Sequence, residues 1–198
     1  MYIVIRRGAF EDLAVAGGLT GAAAVRCVRE FDGDPDLAAW RPRPGKVVLR
    51  ARGGQWDEVV ATERHAAAGD GVIALPPRRR SERGPLLERM QAMTSELTPP
   101  PEEAANPRAG AVTYVVNPRV EMSSGKTLAQ IAHAAVMAAD APELDEWVEA
   151  GCPAQVVKPP QSRFDSLCES GDLAARVEDA GLTEVPPGTI TVLALRPA

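Results

Sequence analysis

The chain has 198 residues, which is enough for one large or two small domains, and its 45% hydrophobic and 25% charged residues are an ordinary globular balance. Aromatic residues make up only 4%, which argues against a single-strand binder that stacks bases on aromatic side chains. The three cysteines and two histidines have no zinc-binding spacing and form no even disulfide framework. We therefore expect neither a metal nor another cofactor, and a reducing compartment.

The formal net charge of −5 is unevenly distributed along the chain. Residues 1–97 carry fifteen basic and thirteen acidic side chains, whereas residues 109–198 carry six and twelve. An acidic segment binds a polyanion poorly unless positive charge is supplied locally or from elsewhere. The N-terminal apolar run is too short for a signal peptide, and no stretch approaches the roughly 20 apolar residues of a membrane span. We expect a cytoplasmic protein without membrane contact.

The first 97 residues alternate between strand and helix patterns. The sequence predicts a strand over residues 2–5, a glycine-ended loop over 13–18 and an alanine-rich helix over 20–31. A short helix over 35–40 and a strand over 46–50 follow. This order indicates an α/β unit.

A basic run and a proline-rich stretch follow in the chain. Residues 76–83, Pro-Pro-Arg-Arg-Arg-Ser-Glu-Arg, are the most concentrated basic run, so Arg78, Arg79, Arg80 and Arg83 are candidate phosphate contacts. The alternative is a solvated connecting segment. Residues 98–109 are rich in proline and predict a semi-rigid linker between a domain over 1–97 and a domain over 110–198.

The stretch from residue 111 to residue 136 combines an apolar strand with a helix. On that helix Lys126, Gln130 and His133 fall on one face, and the opposite face is apolar. The polar face presents an ammonium group, an amide and an imidazole. Its other interpretation is simple solvent exposure.

A second informative stretch lies at residues 177–195. Asp179 and Thr183 stand in a predicted tight turn, and Gly181 between them allows both side chains to face the same way. The following strand, residues 190–195, is interpreted as apolar throughout and hence covered on both faces.

Together the two stretches resemble the type 2 peptidyl-tRNA hydrolase family. Its pattern is a strand, then M-x-x-G-K-x-x-x-Q-x-x-H-A, and later D-A-G-x-T-x-x-x-P-G-T-x-T-V-L. The matching residues are Met122, Gly125, Lys126, Gln130, His133, Ala134, Asp179, Ala180, Gly181, Thr183, Pro187, Gly188, Thr189, Thr191, Val192 and Leu193. The resemblance spans about residues 110–197.

This resemblance implies hydrolysis of the ester bond of peptidyl-tRNA, with free tRNA and peptide as products. It implies Lys126, Gln130, Asp179 and Thr183 as catalytic residues. His133 would hold a ribose or a phosphate, although a buried structural histidine is an equal alternative. We expect Lys126 and Asp179 to be partly exposed, so that replacing either abolishes turnover with little loss of stability.

The sequence departs from the family pattern near these residues. Asn117 and Arg119 stand where an Arg and an Asp are usual, and Ser123-Ser124 replace a glycine and a basic residue. Leu182 and Glu184 replace an Arg and a Gln, which removes a positive charge and adds a negative one. We expect slower hydrolysis, and the alternative function is a non-catalytic RNA-binding or protein-binding module.

Residues 1–97 resemble a degenerate second copy of the C-terminal half. Without a gap, residues 18–40 match residues 125–147 at Gly18/Gly125, Thr20/Thr127, Ala22/Ala129, Pro35/Pro142, Leu37/Leu144 and Trp40/Trp147. The predicted fold class is α/β, with two small three-layer units of mixed β-sheet and flanking helices that arose by tandem duplication of the type 2 peptidyl-tRNA hydrolase fold. The alternative is two unrelated α/β segments.

The duplication has consequences for chemistry and assembly. In the ungapped alignment Leu19, Ala23 and Arg26 replace Lys126, Gln130 and His133, so the first copy would have lost its chemistry. A chain with both copies would be a monomer that acts as an intramolecular pseudo-dimer, or a weak homo-oligomer.

A nucleotide-binding P-loop is a rival interpretation of residues 124–127, Ser-Gly-Lys-Thr. The earlier glycine that a P-loop needs is replaced by Val120. Without it the phosphate cradle lacks its first turn, which argues against a nucleotidase or kinase.

Overall fold

A computed structural model describes residues 1–94 and 96–198, and it shows an α/β protein with two mixed β-sheets. The strands of the first sheet are β1 (Tyr2–Arg6), β2 (Val47–Ala51), β3 (Ala66–Ala67), β4 (Val72–Leu75) and β5 (Gln91–Ala92). The helices of this first unit, residues 1–97, are α1 (Leu13–Glu30), α2 (Pro35–Trp40), α3 (Gly53–Thr62) and α4 (Gly84–Glu88).

The second unit, residues 110–198, forms the other sheet. Its strands are β6 (Val112–Val116), β7 (Ala154–Val157), β8 (Leu173–Glu178) and β9 (Ile190–Leu195). Its helices are α5 (Ser124–Ala139), α6 (Asp145–Glu149) and α7 (Gln161–Glu169), with a 3₁₀ turn at Pro142–Leu144 before α6.

The two sheets share one strand order. The first runs β3-β4-β1-β2-β5 and the second runs β8-β9-β6-β7, so the first differs by one added edge strand. In both sheets the first strand pairs parallel with the second and antiparallel with the last long strand. A parallel pair needs a crossover connection, and α1 and α5 supply it.

Helices α1 and α5 lie side by side between the two sheets. The largest core cluster joins the inward-facing residues of both sheets, such as Ile3 and Tyr114, to both helices. Two smaller clusters cover the outer faces, one beneath α3 and α4 and the other beneath α7. The inner faces of both sheets are therefore buried in one shared core.

Close approach of these two helices depends on glycines in α1. A Cβ at Gly17 would stand 2.8 Å from Cδ1 of Ile131, and one at Gly21 would stand 3.1 Å from the Cβ of Ala135. The predicted loop over residues 13–18 is therefore wrong, because these residues form the first turns of α1, capped by the Asp12 carboxylate. The glycines serve packing rather than chain breaking.

In helices α1 and α5 the structure pairs different residues of the two halves from those that the ungapped alignment pairs. Asp12 caps α1 and Ser123 caps α5, and each side chain accepts from the third amide of its helix, that of Val15 or Lys126. Matching the caps places Val15, rather than Leu19, opposite Lys126. The shift is four residues, which is about one helical turn.

Three further elements were missed or misplaced in the sequence. Strand β8 and helix α3 were not predicted, and residues 86–93, whose pattern predicts one short helix, form the end of α4 and the short strand β5. Exposed residues alternate with buried ones at the end of β8, where Arg176 and Glu178 are exposed, and this weakens its apolar signal.

The proline-rich segment over 98–109 contacts both units. Thr98 exchanges backbone hydrogen bonds with Glu11 and Leu13 of the first unit. Pro101 accepts from the Lys158 amide in the second unit, and Ala105 is buried beside α7. The segment is bonded along its length rather than freely extended.

None of the helices in the described ranges, 1–94 and 96–198, is long and apolar enough to span a membrane.

We predict that replacing Gly125 with Ala destabilises the fold, by about 1–3 kcal/mol as for other overpacked sites. A Cβ there would clash with the backbone carbonyl oxygen of Met93, which cannot move as a side-chain end can. The matched control is Gly54→Ala in α3, where a Cβ meets nothing within 4 Å. Chemical denaturation should show loss of stability for the first variant and none for the second; equal stabilities would contradict the packing argument.

Candidate active site

Helix α5 begins with a doubly bonded cap at Ser123. The Ser123 hydroxyl accepts from the Lys126 amide at 3.2 Å and donates to the Glu184 carboxylate at 2.7 Å. The Ser123 amide donates to the other oxygen of Glu184, also at 2.7 Å. These bonds tie the loop after β8 to the start of α5 and place Lys126 in the first turn of the helix.

The loop after β8 holds Asp179 in a tight turn. Oδ1 of Asp179 accepts from the Gly181 amide at 2.8 Å, and the Asp179 backbone bonds with Thr189 and Gly188 across the loop. Gly181 has φ +74°, and a Cβ there would stand 2.5 Å from Pro187. Glycine is therefore required both by the backbone conformation and by space.

Four sequence-predicted residues come together between α5 and this loop. The Lys126 ammonium forms an ion pair with Oδ2 of Asp179 and donates to Oγ1 of Thr183 at 3.0 Å. The Gln130 amide donates to the same Oδ2 at 2.9 Å. Oδ2 thus has two donors, and the Thr183 hydroxyl proton is left for another acceptor.

The Asp179 carboxyl is held in its charged form. Burial by itself raises the pKa of Asp179, but hydrogen bonds from Lys126, the Gly181 amide and Gln130 together bring that pKa below its ordinary value. At neutral pH the site therefore contains a carboxylate beside an ammonium group.

Thr191 is a member of this network that the sequence interpretation missed. It is fully buried on β9, and its hydroxyl donates to Oε1 of Gln130 at 2.6 Å. That bond turns the amide nitrogen of Gln130 toward Asp179. The signal was present in the sequence, since a threonine interrupts a strand that was interpreted as apolar throughout.

His133 lies one turn beyond Gln130 and contacts the first unit. Its Nδ1 is 3.1 Å from Nζ of Lys46, just before β2. Burial, followed by the positive charges of Lys46 and Lys126, lowers the pKa of His133 to about 3, although Asp179 opposes this shift. The imidazole is therefore neutral across the ordinary pH range.

Arg78, Arg79 and Arg80 are three of the four arginines of the basic run, and the fourth, Arg83, donates to the Met90 carbonyl at 3.3 Å. Arg78 is half-buried and ion-paired with Glu63 at 2.7 Å, whereas Arg79 and Arg80 are exposed. Within the described part of the chain, no hydrogen bond or ion pair links any of the three to the Lys126 and Asp179 pair.

Two of the departures from the family pattern, Asn117 and Arg119, have defined structural partners. Asn117 donates to the Ile190 carbonyl at 2.7 Å and accepts from the Arg119 amide, which fixes the end of β6 beside β9. Arg119 pairs with Asp165 at 3.3 Å. Leu182 is 86% exposed and lies in the same loop as Asp179 and Thr183.

The expected partial exposure is wrong for Asp179, which is buried, whereas Lys126 keeps a small exposed fraction. The Lys126 side chain is only 11% exposed and that of Asp179 only 7%. Thirteen of the sixteen residues of α5 are buried, including Gln130. The three residues of α5 that are not buried, Lys126, His133 and Met137, all lie on the face that carries Gln130, so this face keeps some access to solvent.

Comparison with known proteins identifies the second unit. The family described as "Peptidyl-tRNA hydrolase PTH2" matches residues 111–198. A peptidyl-tRNA hydrolase of Thermococcus onnurineus is 40% identical over 95 residues, 42% of this chain and 80% of that protein. Those of Methanopyrus kandleri (38% identical; 42% and 80%) and Sulfurisphaera tokodaii (34%; 46% and 87%) are also similar.

The chain belongs to the peptidyl-tRNA hydrolase PTH2 family. The family resemblance read from the two motifs is thereby confirmed, as is the functional class, a carboxylic ester hydrolase that acts on peptidyl-tRNA. The matches cover the second unit of this PTH2 protein, and no solved structure matches the chain. In residues 1–94 and 96–198 no group of three or more His, Cys, Asp or Glu residues is arranged to hold a metal ion.

We predict that breaking the ion pair of this hydrolase costs stability. Removing one partner of a fully buried pair typically costs about 3–5 kcal/mol, because the other charge is left uncompensated, and the loss here should be smaller because Lys126 keeps some exposure. Lys126→Met and Asp179→Asn should each lower the free energy of unfolding, and the double variant should lose less than the sum of the two. The part contributed by Asp179, whose folded pKa is lowered, is present at neutral pH and lost as the pH falls. Additive losses in a double-mutant cycle would show that the pair is not coupled.

Proposed function

We propose that the second unit hydrolyses the ester of peptidyl-tRNA with Lys126, Gln130, Asp179 and Thr183 as its catalytic residues. The observation that carries this assignment is the geometry of four side chains. The Lys126 ammonium and the Gln130 amide both contact Oδ2 of Asp179, and the Lys126 ammonium also contacts the Thr183 hydroxyl. Ester hydrolysis needs an oriented water and a stabilised oxyanion. This group of side chains offers both.

Each residue takes a role that follows from its hydrogen bonds. Asp179 orients a water and accepts its proton as the water oxygen bonds to the ester carbonyl carbon. Lys126, in the positive end of the α5 dipole, stabilises the oxyanion that develops on the carbonyl oxygen. When the bond to the ribose oxygen breaks, Lys126 supplies the proton that the leaving oxygen takes, and Asp179 returns its proton to Lys126.

Gln130 and Thr183 keep the reacting groups in place. Gln130, itself held by Thr191, fixes the Asp179 carboxylate so that it does not turn away when Lys126 moves toward substrate. The free hydroxyl proton of Thr183 can be donated to the substrate. His133 lies on the same face and contacts the ribose or a phosphate.

We also propose that the two units descend from one duplicated gene segment and form an intramolecular pseudo-dimer. Support comes from the shared strand order and from the two tryptophans that the alignment matched. Trp40 donates to the Gly45 carbonyl at 2.7 Å and Trp147 to the Pro153 carbonyl at 2.8 Å, each just before the strand that pairs in parallel with the first strand of its sheet, β2 or β7. The protein would then be a monomer in which the contact between the two units takes the place of a contact between two subunits.

We predict that purified protein releases tRNA from peptidyl-tRNA, and that Lys126→Met and Asp179→Asn each reduce kcat/KM by at least about a hundredfold. Acid gel electrophoresis of charged tRNA measures the release. Asp165→Asn, in the exposed pair with Arg119, is the matched control for loss of a carboxylate and should retain activity. Wild-type protein without activity above buffer at low salt would favour the non-catalytic module instead.

The arginine run gives a separate prediction about RNA binding. We expect Arg79→Ala with Arg80→Ala to weaken tRNA binding and to reduce the slope of log affinity against log salt by roughly 0.7–0.9 for each lost phosphate contact. Arg78 is engaged by Glu63, so Arg78→Ala should act mainly on stability. Filter binding at several salt concentrations measures the slope, and an unchanged slope would place the RNA elsewhere.

A further inference from the structure

Lys46 is a side chain of the first unit that contacts helix α5 beside the site. Its Nζ lies 3.1 Å from Nδ1 of His133 and 4.6 Å from the centroid of the Trp40 ring. Lys46 lies outside the residues that match the family, 111–198. It is one of three lysines in a chain that otherwise uses arginine.

We propose that Lys46 is a positioning residue, supplied by the first unit, that fixes His133 as the tautomer with its proton on Nε2. An ammonium group has three donors and no acceptor, so the nitrogen that faces it must offer a lone pair. Since the neutral ring carries a single proton, that proton is then on Nε2. The inference rests on the proposed function of the Lys126 site, because the recipient of that proton is an oxygen of the bound peptidyl-tRNA.

The position of His133 suits this role. It follows Gln130 by three residues and Lys126 by seven, so the three side chains lie along one face of α5. Its ring is half-buried, and within the described ranges no protein group bonds to its Nε2. A fixed Nε2–H donor at this point extends the site from the ester toward the ribose and phosphate of the terminal nucleotide.

The charged groups around the pair support a pH-dependent tautomer. Burial lowers the pKa of Lys46 to about 7; Arg41 lowers it further, and Asp140 and Cys27 oppose the shift. The Met1 amino group also faces Lys46 and His133. Burial lowers its pKa to about 5, so this amine is neutral near pH 7, where Lys46 titrates. Below pH 7 Lys46 can only donate; above pH 7 its neutral amine can also accept from Nδ1–H, and the fixed tautomer is released.

Long-range ¹H–¹⁵N NMR of the imidazoles in the full chain tests this directly. The chain has two histidines, and His65 is an internal control, because its Nδ1 lies 2.9 Å from the Glu63 carbonyl and should carry a proton. We expect His133 to be the Nε2–H tautomer at pH 6 and to become a mixture by pH 9. Lys46→Met should give the mixture already at pH 6, Lys46→Arg should restore Nε2–H, and Lys158→Met should change nothing.

Kinetics then separate positioning from structure. Lys46→Met should raise KM for peptidyl-tRNA by about threefold to tenfold with little change in kcat, as for loss of one fixed hydrogen bond, and Lys46→Arg should recover it. A wild-type His133 with its proton on Nδ1, or the same tautomer and KM in Lys46→Met as in wild type, would overturn the proposal. The tautomer needs no turnover to be measured, so an inactive wild type with a Lys46-dependent tautomer would refute the proposed function alone.

Discussion

The close packing of α1 against α5 is the constraint on which the rest of the structure depends. Gly17 and Gly21 allow the helices to approach until Ile131 and Ala135 meet the α1 backbone. With α1 on one side and both sheets above and below, α5 is buried except at Lys126, His133 and Met137. A polar group on the buried part of α5, such as the Gln130 amide, must then find a protein partner, because a buried unpaired group costs far more than a pair gains. The hydrogen-bonded site is the consequence of that burial.

This burial also sets the electrostatics of the site. A carboxylate and an ammonium group in contact would gain little in water, but Lys126 and Asp179 are largely shielded from it. The ion pair is stabilised by its low-polarity surroundings only while Gly181, Gln130 and Thr183 satisfy the other hydrogen-bonding groups of Asp179 and Lys126. A substrate that offers Lys126 an oxyanion competes for an ammonium that is already desolvated. The cost of removing water from that ammonium is thus met during folding rather than during catalysis.

The convergence of Lys126, Gln130, Asp179 and Thr183 could be predicted from the sequence because the two motifs that resemble the family are local. Lys126 and Gln130 are spaced one helical turn apart, and Asp179, Gly181 and Thr183 fit one turn motif. Prediction from the sequence failed where a residue's conformation or role depends on a partner that is distant in the chain. The glycines over residues 13–18 were interpreted as a loop, since the sequence does not show that α5 packs against them. Lys46 gave no signal, because its partner His133 is 87 residues away and in the other unit.

The departures at Ser123 and Glu184 act as one change rather than two. Counted separately, Glu184 adds a negative charge beside Asp179 and should repel RNA. In the structure its two oxygens accept from the hydroxyl and the amide of Ser123 at the N-terminus of α5, where the helix dipole favours an anion. Much of its charge is therefore compensated within the protein. Leu182 has no such compensation: it is 86% exposed beside the site, where it replaces a positive side chain with an apolar one. Any weakening of RNA binding at this loop is thus better assigned to Leu182 than to Glu184.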